Sequence, residues 1–110
     1  MIKSFEERER GFEAKFAYDE DHRFRLTARR DKLFAAWLSA KCRLSAPDAQ
    51  SLQDAILIAA GGAGHDGAVF VVATTNLALH STSVTQGIMD AALAACATQA
   101  AEQLARESIP

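Results

Sequence analysis

The 110-residue chain has little of several things. It has two cysteines, Cys42 and Cys96, far apart in sequence. That is too few for a disulfide framework, and without a secretory signal both are expected to be reduced, small and partly buried. It has two prolines, Pro47 and Pro110, so the only proline within a structured region sits where a helix is expected to restart. It has one tryptophan and one tyrosine, and much of its apolar content is alanine, a composition that favours closely packed helices over a β-sandwich. No run of eighteen apolar residues exists, which excludes a helical membrane span. The opening Met-Ile-Lys-Ser-Phe-Glu-Glu-Arg turns polar at once, so no secretory leader is expected and the cytoplasm is the default location. There is no strong excess of one charge sign. The net charge of −2 argues against a polyanion binder, and no nucleic-acid partner is expected.

The charge that is present is unevenly placed. The first 43 residues carry eleven Lys or Arg against eight Asp or Glu, while the remaining 67 carry one base and six acids. A partner that reads charge would meet the front. Within that front, residues 5–37 contain no proline and one glycine, Gly11. Phe5, Phe12, Leu26 and Leu33 share one seven-residue register, with Phe16 and Trp37 at the companion position. The register meets Asp19, Arg23 and Arg30 between its halves, which predicts two amphipathic helical arms with a polar joint near 18–23. Ser4 with Glu7 reads as a capping box starting a helix at Phe5. An arm with three phenylalanines on one face and charge elsewhere cannot bury that face by itself. It either packs on this domain or waits for a partner.

The second arm, about 20–43, presents Phe24, Leu26, Leu33, Phe34, Trp37 and Leu38, with Trp37 expected in the core. Its bases Arg23, Arg25, Arg29, Arg30 and Lys32 read as a solvated helix face, balanced locally by Asp19, Glu20, Asp21 and Asp31. Ser45, Pro47 and Asp48 announce a helix over about 46–59 with Leu52 and Ile56 inward, stopped by Gly61-Gly62. From Gly67 to His80, capped by Asp66, the pattern is ambiguous. Val69-Phe-Val-Val72 suits a buried strand, yet Val69, Val72, Ala73, Asn76, Leu77 and His80 also fit one helical face. Ser83 with Gln86 reads as a capping box for a final helix over 84–106, packed through Ile88, Met89, Ala92, Cys96, Ala100 and Leu104.

No reactive constellation stands out. Gly62-Ala-Gly64-His-Asp-Gly67 matches G-x-G-x-x-G, but a helix rather than a strand precedes it and too little chain remains for a dinucleotide fold. It reads as a connection, and neither a cofactor nor a small-molecule nucleotide is expected. His22, His65 and His80 are scattered, and no metal-ligand spacing occurs. No catalytic residues are assigned and no enzyme is expected.

The front stretch also carries a resemblance. Phe5, Arg8, Glu9, Phe12, Glu13, Lys15, Phe16, Ala17, Asp19, Glu20, Phe24, Ala28-Arg29-Arg30, Lys32-Leu33 and Trp37 form a long ungapped run that resembles the alpha-proteobacterial F-type ATP synthase zeta subunit. Acids, bases and aromatics all match in order, over about a third of the chain. The back half departs from the family pattern at Ala59–Gly64 and at Gln86–Met89. The resemblance implies a small helical bundle with a mobile N-terminal segment. That segment would insert between stator subunits of the catalytic head, near the rotor, and block ATP hydrolysis. It also implies a cytoplasmic protein, peripheral on the membrane-bound enzyme and not inserted in the bilayer.

Together these readings predict an all-α, four-helix-bundle-like single domain with a labile helical N-terminal arm. Residues 1–18 would form the inhibitory arm and 19–110 the bundle. Phe5, Phe12 and Phe16 are the expected anchors, as in helix-in-groove recognition. Glu6, Arg8, Glu9, Arg10, Glu13 and Lys15 would set register and orientation. Two rival readings stand beside it: a helical regulatory or adaptor protein that uses the charged front for another protein partner, without ATPase inhibition, and a nucleotide-binding module that uses the glycine loop instead.

Overall fold

The computed structural model describes the backbone of residues 2–108, and the side chains of 8–11, 13–15 and 17–108. The described chain is all α, in four helices: α1 (Ile2–Cys42), α2 (Ala46–Ala60), α3 (His65–Leu79) and α4 (Gln86–Glu107). Val69–Val72 lies inside α3, so the helical alternative holds for the ambiguous segment. Its β-branched residues pack as one helical face, with Val69, Ala73 and Leu77 buried at i, i+4 and i+8.

α1 is unbroken through the predicted joint at 18–23. Nothing there ends a helix: the stretch has neither proline nor glycine. Its charges pair along the helix instead, Arg23 with Glu20 at 3.1 Å and Arg25 with Asp21 at 3.3 Å. A helix of 41 residues extends about 60 Å at about 1.5 Å per residue. The molecule measures 67 × 33 × 27 Å, so α1 sets its long dimension. Every described side chain from Arg8 to Arg25 is exposed, and partial burial begins at Leu26.

From there α1 is the central post. It packs against α4 on one side and α2 on another, and touches α3 more lightly; α3 rests mainly on α2. The apolar stripes meet in one core: Phe34, Ala35, Leu38 and Cys42 from α1, Leu52 and Ile56 from α2, Val69, Ala73 and Leu77 from α3, and Met89, Leu93 and Cys96 from α4. Ala100 and Leu104 extend the buried face of α4. Trp37 is only partly buried. It stacks on Phe34, with centroids 5.7 Å apart and planes 16° apart, while Lys41 Nζ lies 5.6 Å from its ring centroid. Phe70 meets the edge of Phe34 at 6.2 Å. Ile88, expected to pack, is 51% exposed, because the inward stripe of α4 runs through Met89, Leu93 and Cys96.

The caps are partly those expected. Ser45 Oγ accepts the Asp48 N–H at 3.4 Å, and Pro47 sits in the first turn of α2. At α4 the cap is Thr85, whose Oγ1 accepts the Ile88 N–H at 3.2 Å; Ser83 lies outside the helix. Asp66 does not cap α3, which begins at His65 after Gly64. The Ser4–Glu7 capping box lies outside the described side chains, and α1 begins at Ile2. Pro110 lies outside the described residues. Helices α1 and α3 both end in Schellman motifs. After α1, Arg43 N bonds Ala40 O at 3.3 Å and Leu44 N bonds Ser39 O at 3.0 Å; after α3, Ser81 N bonds Ala78 O at 3.2 Å and Thr82 N bonds Leu77 O at 2.8 Å. Arg43 and Ser81 take the left-handed position, with φ of 55° and 50°, that glycine would occupy most easily.

Candidate partner-binding helix and its base

Of the nine residues expected to meet a partner, Arg8, Glu9, Arg10, Glu13 and Lys15 are exposed on the projecting half of α1. Phe5, Glu6, Phe12 and Phe16 belong to the same helix, and their side chains lie outside the described ones. On a helical backbone positions 5, 12 and 16 fall within about 40° of one another around the axis. The charged set therefore stands free of the body on a single rod.

Where the rod joins the body, the structure assembles a cluster that composition alone reads as solvated charge. Arg29 reaches α4: its Nη1 donates to Gln103 Oε1 at 2.9 Å, and its Nη2 to Glu107 at 2.8 and 3.1 Å. Arg30 reaches α3, where Nη2 and Nη1 grip the Asp66 carboxylate at 2.6 and 3.3 Å. This two-point guanidinium–carboxylate geometry is the strong form of the pair. Arg30 also donates from Nε to Asp31 Oδ1 at 3.0 Å. Burial works against charge on Arg30, but its hydrogen bond to Asp66 and the field of Asp31 outweigh that and hold its pKa above the ordinary value. Two adjacent arginines thus tie α1 to two different helices.

Asp31 is the buried member, 1% exposed. Burial drives its pKa above the ordinary 3.8; Arg30 pulls it down without offsetting this, and Asp66 adds to the rise. Its Oδ2 has no hydrogen-bond partner. The signal was present in the spacing. Residues 31, 34, 35, 38 and 42 stand at i, i+3, i+4, i+7 and i+11, so Asp31 lies on the core stripe of α1. Counting it with the neighbouring acids Asp19, Glu20 and Asp21 hid that position.

Two recesses flank this base. A small polar one of about 180 Å³ lies between Tyr18, His22 and Arg25 on α1 and Leu104, Glu107 and Ser108 at the end of α4, with Tyr18 and His22 stacked on each other along α1 at 6.2 Å. A larger, more apolar one of about 650 Å³ opens between α1 and the end of α2. Cys42 and Cys96 are free and buried, and burial pushes the Cys96 thiol up, the opposite of what a reactive thiolate needs. Among the described residues no three His, Cys, Asp or Glu side chains converge to hold a metal ion, and no helix is long and apolar enough to cross a membrane. Gly61 to Gly64 form the turn between α2 and α3, and Gly67 lies inside α3.

The described chain is a helical body from which one long, charged helix extends. The chain belongs to the ATPase inhibitor subunit zeta family, whose model matches residues 2–103. The match thus extends past the front stretch that carries the resemblance and through the divergent glycine connection and the start of α4. No curated protein and no solved structure matches the chain.

Proposed function

We propose that this protein inhibits ATP hydrolysis by the catalytic head of the F-type ATP synthase, with residues 1–18 as the inhibitory arm and residues 19–110 as the body that carries it. The arm inserts as a helix between stator subunits near the rotor and blocks ATP hydrolysis. Phe5, Phe12 and Phe16 fill apolar pockets, while Glu6, Arg8, Glu9, Arg10, Glu13 and Lys15 set the register. The protein works in the cytoplasm, peripheral to the membrane-bound enzyme. The observation that carries this reading, given the family, is that every described side chain of α1 from Arg8 to Arg25 is exposed. A charged helix that its own body leaves uncovered over that length is poorly supported unless a partner covers its apolar face.

The test is the ATPase rate of the cognate head with the full-length protein and with a variant lacking residues 1–16. The deletion is expected to abolish inhibition and leave the thermal midpoint nearly unchanged. Phe12→Ala is expected to weaken binding by about 2 kcal/mol or more as an anchor. Inhibition that survives the deletion with a folded body would place the inhibitory surface elsewhere. A deletion that unfolds the body would make the phenylalanines part of the fold.

A further inference from the structure

The larger recess at the base of the rod combines three features that inhibition by the arm does not use. Its walls are apolar: Phe24 and Ala28 from α1, Leu57 and Ala60 from α2. Phe24 is 73% exposed, an aromatic left uncovered by the body it stands on. Asp31 lines the same recess, 1% exposed, with Arg30 bonded to Oδ1 and no donor for Oδ2. A buried carboxylate oxygen without a donor carries its full desolvation penalty.

The surrounding charge says what would relieve it. Glu20, Arg23 and Asp31 are the acids and arginine that line the recess; Arg23 is engaged with Glu20, and Arg30, which bonds Asp31, is held by Asp66 as well. The surplus is negative, and the unpartnered acceptor is the Asp31 oxygen. His65 is the remaining titratable group of the lining. A neutral apolar occupant would leave Oδ2 orphaned, and an anion would be repelled. A lysine or arginine side chain meets both demands, its aliphatic stem lying on the apolar wall and its head donating to the carboxylate. Phe24 adds an aromatic face for the cation.

We propose that this groove is a second docking site on the body, taking a basic side chain of the ATP synthase catalytic head between Phe24 and Asp31. The inference rests on the inhibitory reading above. It names a contact outside the arm. Phe24 stands twelve residues beyond Phe12 on the same unbroken helix, about 18 Å along its axis, so a subunit holding the arm is within reach of the groove. Oδ2 is closed to solvent in the free chain. The cation reaches it by displacing a lining side chain, and Phe24, 73% exposed, is free to move. The second contact fixes the angle of the rod against the head, which one helix in one groove leaves loose.

The experiment is a binding titration of the full-length protein against the purified head, with Phe12→Ala, Phe24→Ala and Asp31→Asn compared with wild type and each variant's thermal midpoint recorded. Phe24→Ala and Asp31→Asn are each expected to weaken binding about tenfold. Asp31→Asn should also flatten the salt dependence of the affinity, which a merely structural change would not do. A photoreactive phenylalanine analogue at position 24 should crosslink to a head subunit. If both groove variants bind as tightly as wild type while Phe12→Ala does not, the groove is overturned and the arm reading stands. If Phe12→Ala also binds as wild type, both fall. Should Asp31→Asn lose its fold, Phe24→Ala and the crosslink decide the matter. If the crosslink instead joins two copies of this chain, the occupant is a second copy and the proposal is wrong.

Discussion

Replacing Arg30 with alanine should be among the most damaging single changes to the body, and the damage should depend on pH. The Arg30 side chain is 16% exposed and serves two carboxylates of different standing, Asp31 at 1% and Asp66 at 53% exposure. Losing the Asp66 contact alone would cost at most about 1 kcal/mol, since that partner is solvated. Asp31 is the larger problem. Breaking a buried pair from one side typically costs about 3–5 kcal/mol, because the remaining charge is left uncompensated. Asp31 has an escape, however. Burial already lifts its pKa above 3.8, and without Arg30 only the raising influences of burial and Asp66 remain, so it takes up a proton more readily. That caps the expected loss at about 3–4 kcal/mol near pH 7. The sign follows from linkage. A carboxyl whose folded pKa is raised contributes stability that is present below the ordinary value of 3.8 and is lost as pH rises through the folded value. The deficit of Arg30→Ala relative to wild type should therefore be small near about pH 4 and grow toward about pH 7. Urea denaturation followed by far-ultraviolet circular dichroism at both pH values measures it. The double variant Arg30→Ala, Asp31→Asn should recover most of the loss, because the buried charge is gone. A single-variant loss under about 1 kcal/mol, or one that does not change with pH, would refute the view that Arg30 holds a buried Asp31 in place.

Other expectations are smaller. Trp37→Ala should destabilise the body by about 3 kcal/mol, toward the low end for a core aromatic because the ring is only partly buried, and an unchanged denaturation midpoint would show that its stack on Phe34 carries little. Thr85→Ala should lower stability by about 1 kcal/mol while Ser83→Ala leaves it unchanged, and the reverse order in thermal melts would restore Ser83 as the cap of α4. Ser81→Gly should raise stability by roughly 0.5–1 kcal/mol by relieving the left-handed backbone after α3, and a lower melting temperature would contradict that geometry.

What the sequence by itself determined is what depends on neighbours along the chain. Phe34 and Leu38, Leu52 and Ile56, and Met89, Cys96, Ala100 and Leu104 recur at helical spacing, and each is buried. The Ser45 cap with Pro47 needed only local geometry. The family was legible in the order of charges and aromatics from Phe5 to Trp37. Tertiary structure decided what these stripes meet. Val69–Val72 is helix because α2 and α1 offer it a helical groove and no strand stands beside it among the described residues. Phe24 and Phe34 look alike in a periodic reading, yet Phe34 is 0% and Phe24 73% exposed, because α2, α3 and α4 surround only the later half of α1. Arg29, Arg30 and Asp31 read as surface charge until α3 and α4 bring Asp66, Gln103 and Glu107 against them from 36 to 78 residues away. Periodicity says which face of a helix is apolar. It does not say what covers that face or which charges end up beneath the cover, since those contacts join residues that share no local pattern.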